Sequence, residues 1–215
     1  KPLVVFSQAN SQDPWRQVFD AEMTAAAGEH ASDFRFEMQE AQDNASTQIS
    51  QVEAFLLLKP KVLLISPATV ALQAVCEKAY DAGVAVILLD RAIPGEKFTS
   101  FISGDNVEIG QAAASYIINK LGQKGTVLEI YGLAGSTATD ERHSGAEAIF
   151  KVAKGIKVIQ GDHCDYQRNK AQSFMQAFLQ KGVAFDAVLA HNDEMAIGAA
   201  QAMEAAGITG KVVVG

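Results

Sequence analysis

Two groups of polar residues follow directly after short apolar runs, one group in each half of the 215-residue chain. Asp90-Arg91 follows residues 86–89, and His191-Asn192-Asp193 follows residues 187–190. Such runs are typical of buried parallel strands, and in open α/β sheets ligands bind beyond the carboxyl ends of the strands. The sequence therefore predicts two separate halves that hold a small, hydroxyl-rich molecule between them.

The adjacent Asp90 and Arg91 suit a ligand that carries hydroxyl groups. A carboxylate accepts hydrogen bonds from hydroxyls, whereas a guanidinium donates them in a rigid fork. The alternative is an ordinary ion pair at the end of a strand, which stabilises little when it is exposed. We interpret both residues as ligand contacts because the preceding strand is so apolar.

Trp15, the only tryptophan, lies just after the first predicted strand and next to Arg16. An indole offers an apolar face to the C–H side of a sugar ring and keeps its N–H for a hydroxyl. The alternatives are a core anchor for Trp15 and a solvated arginine for Arg16. We expect both residues to bind the ligand.

In the second half, Asn192 is the strongest candidate because an amide donates and accepts hydrogen bonds at once, as a hydroxyl does. We expect Asp193 to cap the following helix and His191 to be structural. The alternative for the whole triplet is capping alone.

Arg142 ends a loop of small residues, 135–142, that leads into a helix. Small residues before a helix can bind phosphate, but this loop lacks the Gly-Lys-Ser/Thr ending of a P-loop. We therefore expect Arg142 to reach a ligand oxygen rather than a nucleotide. Tyr166 offers a second ring surface, with local packing as its alternative.

Catalytic signals are weak throughout the sequence. It contains no nucleophile elbow, zinc-protease or dinucleotide-binding motif. Asp90 and Asp105 could be compared with a glycosidase pair, but each has an adjacent donor that would keep it ionised. We expect no catalytic residues, no metal, no cofactor, and two unpaired, buried thiols at Cys76 and Cys164.

Apolar runs and helical stripes alternate along the chain, which predicts parallel sheets with helices on both faces. The predicted strands are 3–6, 34–38, 62–65, 85–89, 101–103, 126–130, 157–160, 187–190 and 211–214. Predicted helices include 140–152, 169–180 and 194–206. We expect lobes at 1–104 and 105–215, the second incomplete because no helix follows its last strand.

The net charge is −7, with 48% apolar and 20% charged residues. A nucleic-acid surface usually needs a basic patch, so this composition argues against one. No run approaches the roughly 18 apolar residues of a membrane helix.

Taken together, these residues resemble the periplasmic sugar-binding proteins of ABC transporters, of the ribose/galactose type and most of all the galactofuranose-binding type. The similar stretches are 6–8, 15–16, 88–91, 105–106, 135–142, 165–168 and 190–199. The resemblance implies the type I fold, in which two Rossmann-like lobes joined by a hinge hold one sugar.

The resemblance also implies the site, partners and location. It implies six sugar contacts, namely Trp15, Arg16, Asp90, Arg91, Arg142 and Asn192. Asp105, near the hinge crossing, is a further candidate. Ser66 stands where ribose binders have asparagine, and Trp15-Arg16 replaces two phenylalanines, which favours a hexose or a furanose form over ribose. The implied partners are that monosaccharide and ABC permease membrane subunits, with no nucleic acid. We expect a monomer in the periplasm, or a lipid-anchored extracellular protein in a single-membrane bacterium.

Three other functions fit the same sequence. The effector core of a LacI-type repressor shares this fold and would be preceded by a DNA-binding headpiece. An extracellular sugar-sensing receptor domain would share its chain with a transmembrane helix. An enzyme would turn over glycosides.

Overall fold

Strands and helices alternate along the whole chain, and every pair of neighbouring strands is parallel. A computed structural model describes residues 1–215 and divides them into two units, Lys1–Gly104 and Asp105–Gly215. The predicted fold class, α/β with parallel sheets, is confirmed.

The first unit is a five-stranded sheet in the order β2-β1-β3-β4-β5 with helices connecting its strands. Its elements are β1 (Leu3–Gln8), α1 (Pro14–Glu29), β2 (Arg35–Glu40), α2 (Ala45–Leu57), β3 (Val62–Ile65), a 3₁₀ turn (Val70–Leu72), α3 (Gln73–Asp81), β4 (Ala85–Leu89) and β5 (Ser100–Ile102).

The second unit is a four-stranded sheet in the order β7-β6-β8-β9. Its elements are α4 (Asn106–Lys120), β6 (Gly125–Tyr131), α5 (Thr137–Val152), β7 (Ile156–His163), α6 (Arg168–Gln180), β8 (Ala187–Ala190), α7 (Asp193–Ala205) and β9 (Val212–Val214).

The central strands of each sheet are apolar because helices cover both of their faces. In β4, the neighbouring residues Leu88 and Leu89 point to opposite faces and are both buried, and all four residues of β8 are buried. Apolar side chains on both faces of a strand gain from burial only where both faces are covered, as in parallel sheets.

The first strand of each sheet lies between the two strands that follow it along the chain. β1 pairs with β2 and β3, and β6 pairs with β7 and β8. The crossover helices on the two sides leave a crevice at this switch in strand order, and ligands of open α/β sheets bind there. The polar residues that end β1, β4, β6 and β8 therefore lie at the edge where a ligand is expected.

Several boundaries differ from the sequence prediction. Helix α5 begins at Thr137 rather than at residue 140, because small residues that look like a loop form its first turn; Ala138 and Thr139 are buried there. Strand β7 continues to His163, three residues beyond the predicted 160. The 3₁₀ turn was not predicted.

Cys76 and Cys164 are both free and buried. Burial in apolar surroundings disfavours the thiolate and raises the pKa of Cys76 to about 12. None of the helices combines the length and the apolar content that crossing a bilayer requires.

Candidate functional site

In the first unit, Arg16 connects the carboxyl ends of three strands. Asp13 caps α1 by accepting a hydrogen bond from the Arg16 backbone N–H, and Pro14 opens the helix. From this first turn the guanidinium Nη1 donates to Gln8 Oε1 at 3.0 Å and to Ser66 Oγ at 2.8 Å. Its Nη2 donates to Asp90 Oδ2 at 2.5 Å.

The ion pair of Arg16 and Asp90 is partly desolvated, since their side chains are 3% and 22% exposed. Burial lowers the pKa of Arg16, and the neighbouring Asp90 opposes that shift. A guanidinium remains protonated even so. At the end of β4, the pair thus places a fixed positive charge beside a carboxylate that is partly exposed.

Asp90 has a left-handed backbone, with φ of +65°. Aspartate adopts this conformation more readily than most residues because its short side chain can hydrogen-bond locally. The chain turns there between the end of β4 and Arg91.

Arg91 is also buried, at 3% exposure. Its Nη1 faces three acceptors: Asp43 Oδ1 at 3.1 Å, the carbonyl of Ala68 at 3.2 Å and the carbonyl of Pro67 at 3.4 Å. Arg91 therefore orders the loops that follow β2 and β3, in addition to any contact with a ligand.

Trp15 is 53% exposed and is held from one side. Its ring stacks on Phe19 with centroids 5.3 Å apart and planes inclined by 24°. The Arg16 guanidinium carbon lies 4.9 Å from the centre of the indole. Aromatic and cation–π contacts of this kind fix the orientation of a ring, so Trp15 presents an apolar platform.

Several polar residues that were not predicted as site residues surround these four. Asn10 is buried and donates to Asp43 Oδ2 at 2.6 Å, while Gln8 donates to Asp20 Oδ1 at 2.5 Å. Burial raises the pKa of Asp13, and the hydrogen bond from the Arg16 backbone opposes that shift. Gln8 ends an apolar strand, as Asp90 follows one, so the same signal could have identified it.

In the second unit, Arg142 projects from the first turns of α5. Its Nε donates to Asn106 Oδ1 at 2.9 Å, and its Nη1 donates to the carbonyl of His191. Asn106 in turn donates to Glu141 Oε2 at 3.2 Å. These two hydrogen bonds of Arg142 use two of the five N–H donors of a guanidinium.

Asn192, and not Asp193, caps α7. The Asn192 side-chain oxygen accepts from the Met195 N–H at 3.0 Å, whereas Asp193 is the first helical residue. The prediction that Asp193 caps the helix is wrong, because the residue with extended backbone dihedrals is one position earlier. Asn192 also donates from Nδ2 to the carbonyl of Tyr166 at 3.1 Å.

Tyr166 is buried, and its hydroxyl lies 2.7 Å from Thr139 Oγ1. Its ring packs on Gly132, where a Cβ atom would come within 2.2 Å of the ring. Asp105 is exposed and caps α4 by accepting from the Glu108 N–H at 2.9 Å. The contacts described for these two residues order the polypeptide chain, and their predicted ligand contacts remain proposals.

A cavity of about 360 Å³ lies elsewhere in the second unit, between α6 and the end of β7. Lys170, Phe174 and Cys164 contribute to its wall, but none of the predicted ligand residues does. Burial raises the pKa of Cys164 to about 11, so this thiol is not activated. The strand ends remain the candidate site.

The structure thus groups seven of the eight predicted residues near the carboxyl ends of the strands, four in the first unit and three in the second. Asp105 is the exception, since its side chain caps α4. Trp15, Arg16, Asp90 and Arg91 are linked to one another in the first unit. Arg142, Asn192 and Tyr166 are connected in the second through His191 and α7.

Residues 4–215 match the periplasmic binding protein domain. The chain belongs to this family. The resemblance seen in the sequence is confirmed by relatives from the ribose and galactofuranose group. The ribose import binding protein of Bacillus subtilis is 36% identical over 169 residues, which cover 78% of this chain and 55% of that protein. The galactofuranose-binding protein of Escherichia coli is 30% identical over 217 residues, covering 96% of this chain and 67% of that protein.

Solved structures agree with this assignment. The fructose-binding periplasmic domain of a hybrid two-component system superposes with a TM-score of 0.93 at 33% identity, covering 99% of this chain and 70% of that one. A Caulobacter myo-inositol binding protein gives 0.90 at 28% identity, covering 97% and 71%. The chain spans 55% to 60% of the length of the ribose-binding relatives from Bacillus and Escherichia.

Proposed function

We propose that this protein is a solute-binding protein that captures one monosaccharide between its two lobes and delivers it to an ABC-type permease. The observation that carries the proposal is the Arg16–Asp90 pair beside the exposed Trp15 ring. A carboxylate, a fixed guanidinium and an aromatic face together match the hydroxyls and the C–H face of a sugar.

The nature of the relatives supports the choice of ligand. Those cited above are named for binding ribose, galactofuranose, fructose or myo-inositol, all of which are small polyhydroxylated rings. They are binding proteins, which supports a role without catalysis here. Ser66 and the Trp15-Arg16 pair depart from the residues of ribose binders, so we propose a hexose or a furanose form of one as the ligand.

Capture would depend on differential contact. A sugar that touches only one lobe cannot favour closure, whereas a sugar that contacts both lobes does. Moving an open-to-closed ratio from 99:1 to 1:99 requires about 5.5 kcal/mol of preference. A few hydrogen bonds to charged groups, each contributing roughly 1.5–3 kcal/mol, supply that amount. Arg142 and Asn192 would provide the contacts of the second lobe.

The proposed location is the periplasm, or the outer surface of a single-membrane bacterium through a lipid anchor, with the protein acting as a monomer. The closed form would be recognised by the membrane subunits of the permease. The names of two relatives, a ribose import binding protein and a D-allose-binding periplasmic protein, support the periplasmic location.

A second candidate function is a periplasmic sensor domain. The observation that favours it is the fructose-binding domain of a hybrid two-component system, which shares 33% identity with this chain. The same sugar site would then control a signalling partner instead of a permease. The sequence of the gene that encodes the chain distinguishes the two functions, because the gene of a sensor would also encode a membrane-spanning segment.

A thermal-shift panel of aldoses, ketoses and cyclitols tests the proposal. A ligand that binds only the folded protein adds about 2.7 kcal/mol to the free energy of unfolding at a hundredfold excess over Kd, and this raises the melting temperature. The fluorescence of Trp15, the only tryptophan, should change with the same sugar. A panel in which no compound shifts either signal would refute sugar binding.

A further inference from the structure

Three side chains converge on one carboxyl group, that of Glu129, at the end of β6. Its Oε1 accepts from His143 Nδ1 and from His191 Nε2, each at 3.0 Å. Its Oε2 accepts from the Tyr131 hydroxyl at 3.2 Å. Glu129 is fully buried and His191 is 3% exposed, so the centre of this cluster lies in the interior of the second unit.

Both histidines are chain neighbours of proposed sugar contacts. His143 directly follows Arg142 on α5, and His191 directly precedes Asn192 at the start of α7. The carbonyl of His191 also accepts the hydrogen bond from Arg142. The Glu129 carboxyl group therefore binds the chain neighbour of Arg142 and the chain neighbour of Asn192.

The hydrogen bonds of His191 fix the tautomer of its imidazole ring. The Gly132 N–H points at His191 Nδ1 from 3.5 Å, which leaves Nε2 as the protonated nitrogen that faces Glu129. The rings of His191 and His143 contact Tyr131 edge-on, with centroids 5.2 Å and 5.3 Å away. Fixed rotamers on both histidines restrict the backbone that carries Arg142 and Asn192.

We propose that Glu129 is the positioning residue of the second unit: it holds Arg142 and Asn192 in the geometry that binds the sugar, through His143 and His191. The inference deepens the proposed function and rests on it. Glu129 itself does not touch the ligand.

Calorimetry on the full chain tests this role, using the sugar that the thermal-shift panel selects. Glu129→Leu removes all three acceptor contacts and should weaken binding by about 10-fold or more, which corresponds to ~1.4 kcal/mol. Glu129→Gln keeps an oxygen for the two histidines and an amide for Tyr131, so it should stay within about 3-fold of wild type. Asp186→Asn is the matched control: Asp186 accepts from the Thr126 N–H at the opposite end of the sheet, and its loss should leave affinity unchanged.

A double-mutant cycle separates positioning from simple destabilisation. If Glu129 acts through Asn192, the loss caused by Glu129→Leu should shrink by at least about 3-fold when Asn192 is already alanine. Calorimetric stoichiometry reports the folded fraction, so the affinities refer to folded molecules. Additive losses, or wild-type affinity in the folded Glu129→Leu protein, would overturn the inference.

His143→Leu provides a second route should Glu129→Leu fail to fold. Its side chain is 30% exposed, so the substitution is tolerated more easily, and it removes one of the two histidine links. We expect about 3-fold weaker binding, restored by His143→Gln; unchanged affinity in His143→Leu would contradict the positioning role. A wild-type protein that binds no sugar would instead refute the proposed function, and this inference with it.

Discussion

At the scale of single residues, the candidate site is built from charges that restrain one another. Arg16 reaches Gln8, Ser66 and Asp90 at once, and Arg91 is tied to Asp43. Side chains fixed before the ligand arrives lose less conformational entropy on binding. The same contacts mean that removing one partner affects stability as well as affinity, because it leaves a buried charge uncompensated.

Asp90→Asn separates the charge of Asp90 from its backbone conformation. Asparagine also tolerates a φ of +65°, so the turn should survive, while Arg16 loses its closest anion. We expect the free energy of unfolding to fall by about 1–3 kcal/mol and sugar affinity to fall at least 10-fold. Urea denaturation and calorimetry measure the two effects.

The matched control for Asp90→Asn is Asp81→Asn, which removes an exposed ion pair with Lys97. Pairs of this kind contribute little, so stability and affinity should both stay near wild type. Equal effects of the two substitutions would argue against a special role for the Arg16–Asp90 pair.

His191 gives the stability of the protein a pH dependence of known sign. Burial lowers the pKa of His191 in the folded protein, against opposing contributions from Glu129. The unfolded chain therefore binds the proton first as the pH falls. The stability contribution is complete above the unfolded pKa of about 6.5 and is lost as the pH falls from there towards the lower folded pKa.

Chemical denaturation of wild type and His191→Gln between pH 7.5 and pH 5 measures this contribution. Glutamine can still donate to Glu129 but does not titrate, so the variant should lose less stability over this range than the wild type. Parallel curves for the two proteins would show that His191 does not contribute to the pH dependence.

At the scale of elements, helix pairs in the second unit approach closely at glycines. A Cβ atom at Gly110 of α4 would lie 2.1 Å from the carbonyl oxygen of Arg142, and one at Gly145 of α5 would lie 2.1 Å from the carbonyl oxygen of Val107. Gly198 of α7 meets the Arg168 carbonyl in the same way, at 2.2 Å. These contacts set the position of α5, which carries Arg142, and of α7, which Asn192 caps.

Gly145→Ala should therefore separate α4 from α5. The added methyl group meets backbone, which cannot rotate away, so we expect a loss of about 1–3 kcal/mol in the free energy of unfolding. Sugar affinity should fall as well, because Arg142 moves with α5. Thermal denaturation and calorimetry provide the measurements.

Gly28 offers the control within the same chain. It lies near the end of α1, and a Cβ atom there would have no neighbour within 4 Å. Gly28→Ala should stabilise the protein by up to about 1 kcal/mol through helix propensity and leave affinity unchanged. Destabilisation by both substitutions would contradict the packing argument.

At the scale of the whole molecule, both units order their strands in the same way. The first strand of each sheet is central, the second lies on one side of it and the third on the other. Each unit thus carries its own crevice at the carboxyl ends of its strands, and each crevice holds polar side chains of the candidate site. The proposed function requires ligand contacts from both units.

Small-angle X-ray scattering tests the proposed closure. The radius of gyration should decrease when the selected sugar is added, since contacts from both lobes favour the closed form. A variant in which Asn192 and Arg142 are both changed to alanine should not contract at the same sugar concentration. A wild-type radius unchanged at saturating sugar would exclude closure as the mode of capture.

The sequence by itself determined the alternation of strands and helices and most of the polar residues at the strand ends. Apolar runs of four to five residues followed by Asp90-Arg91 or by His191-Asn192 are local patterns. Local patterns depend on backbone geometry and burial within a few residues, so they can be read along the chain.

Only the tertiary structure decided which of these polar groups meet. Arg16 pairs with Asp90 across 74 positions, and His191 with Glu129 across 62. A parallel sheet brings the ends of strands that are distant in sequence to one edge, and nothing in the spacing of the residues encodes which side chains then touch. The role proposed for Glu129 could not be predicted for this reason, since this glutamate gains its two histidine partners only when α5 and the end of β8 pack beside β6.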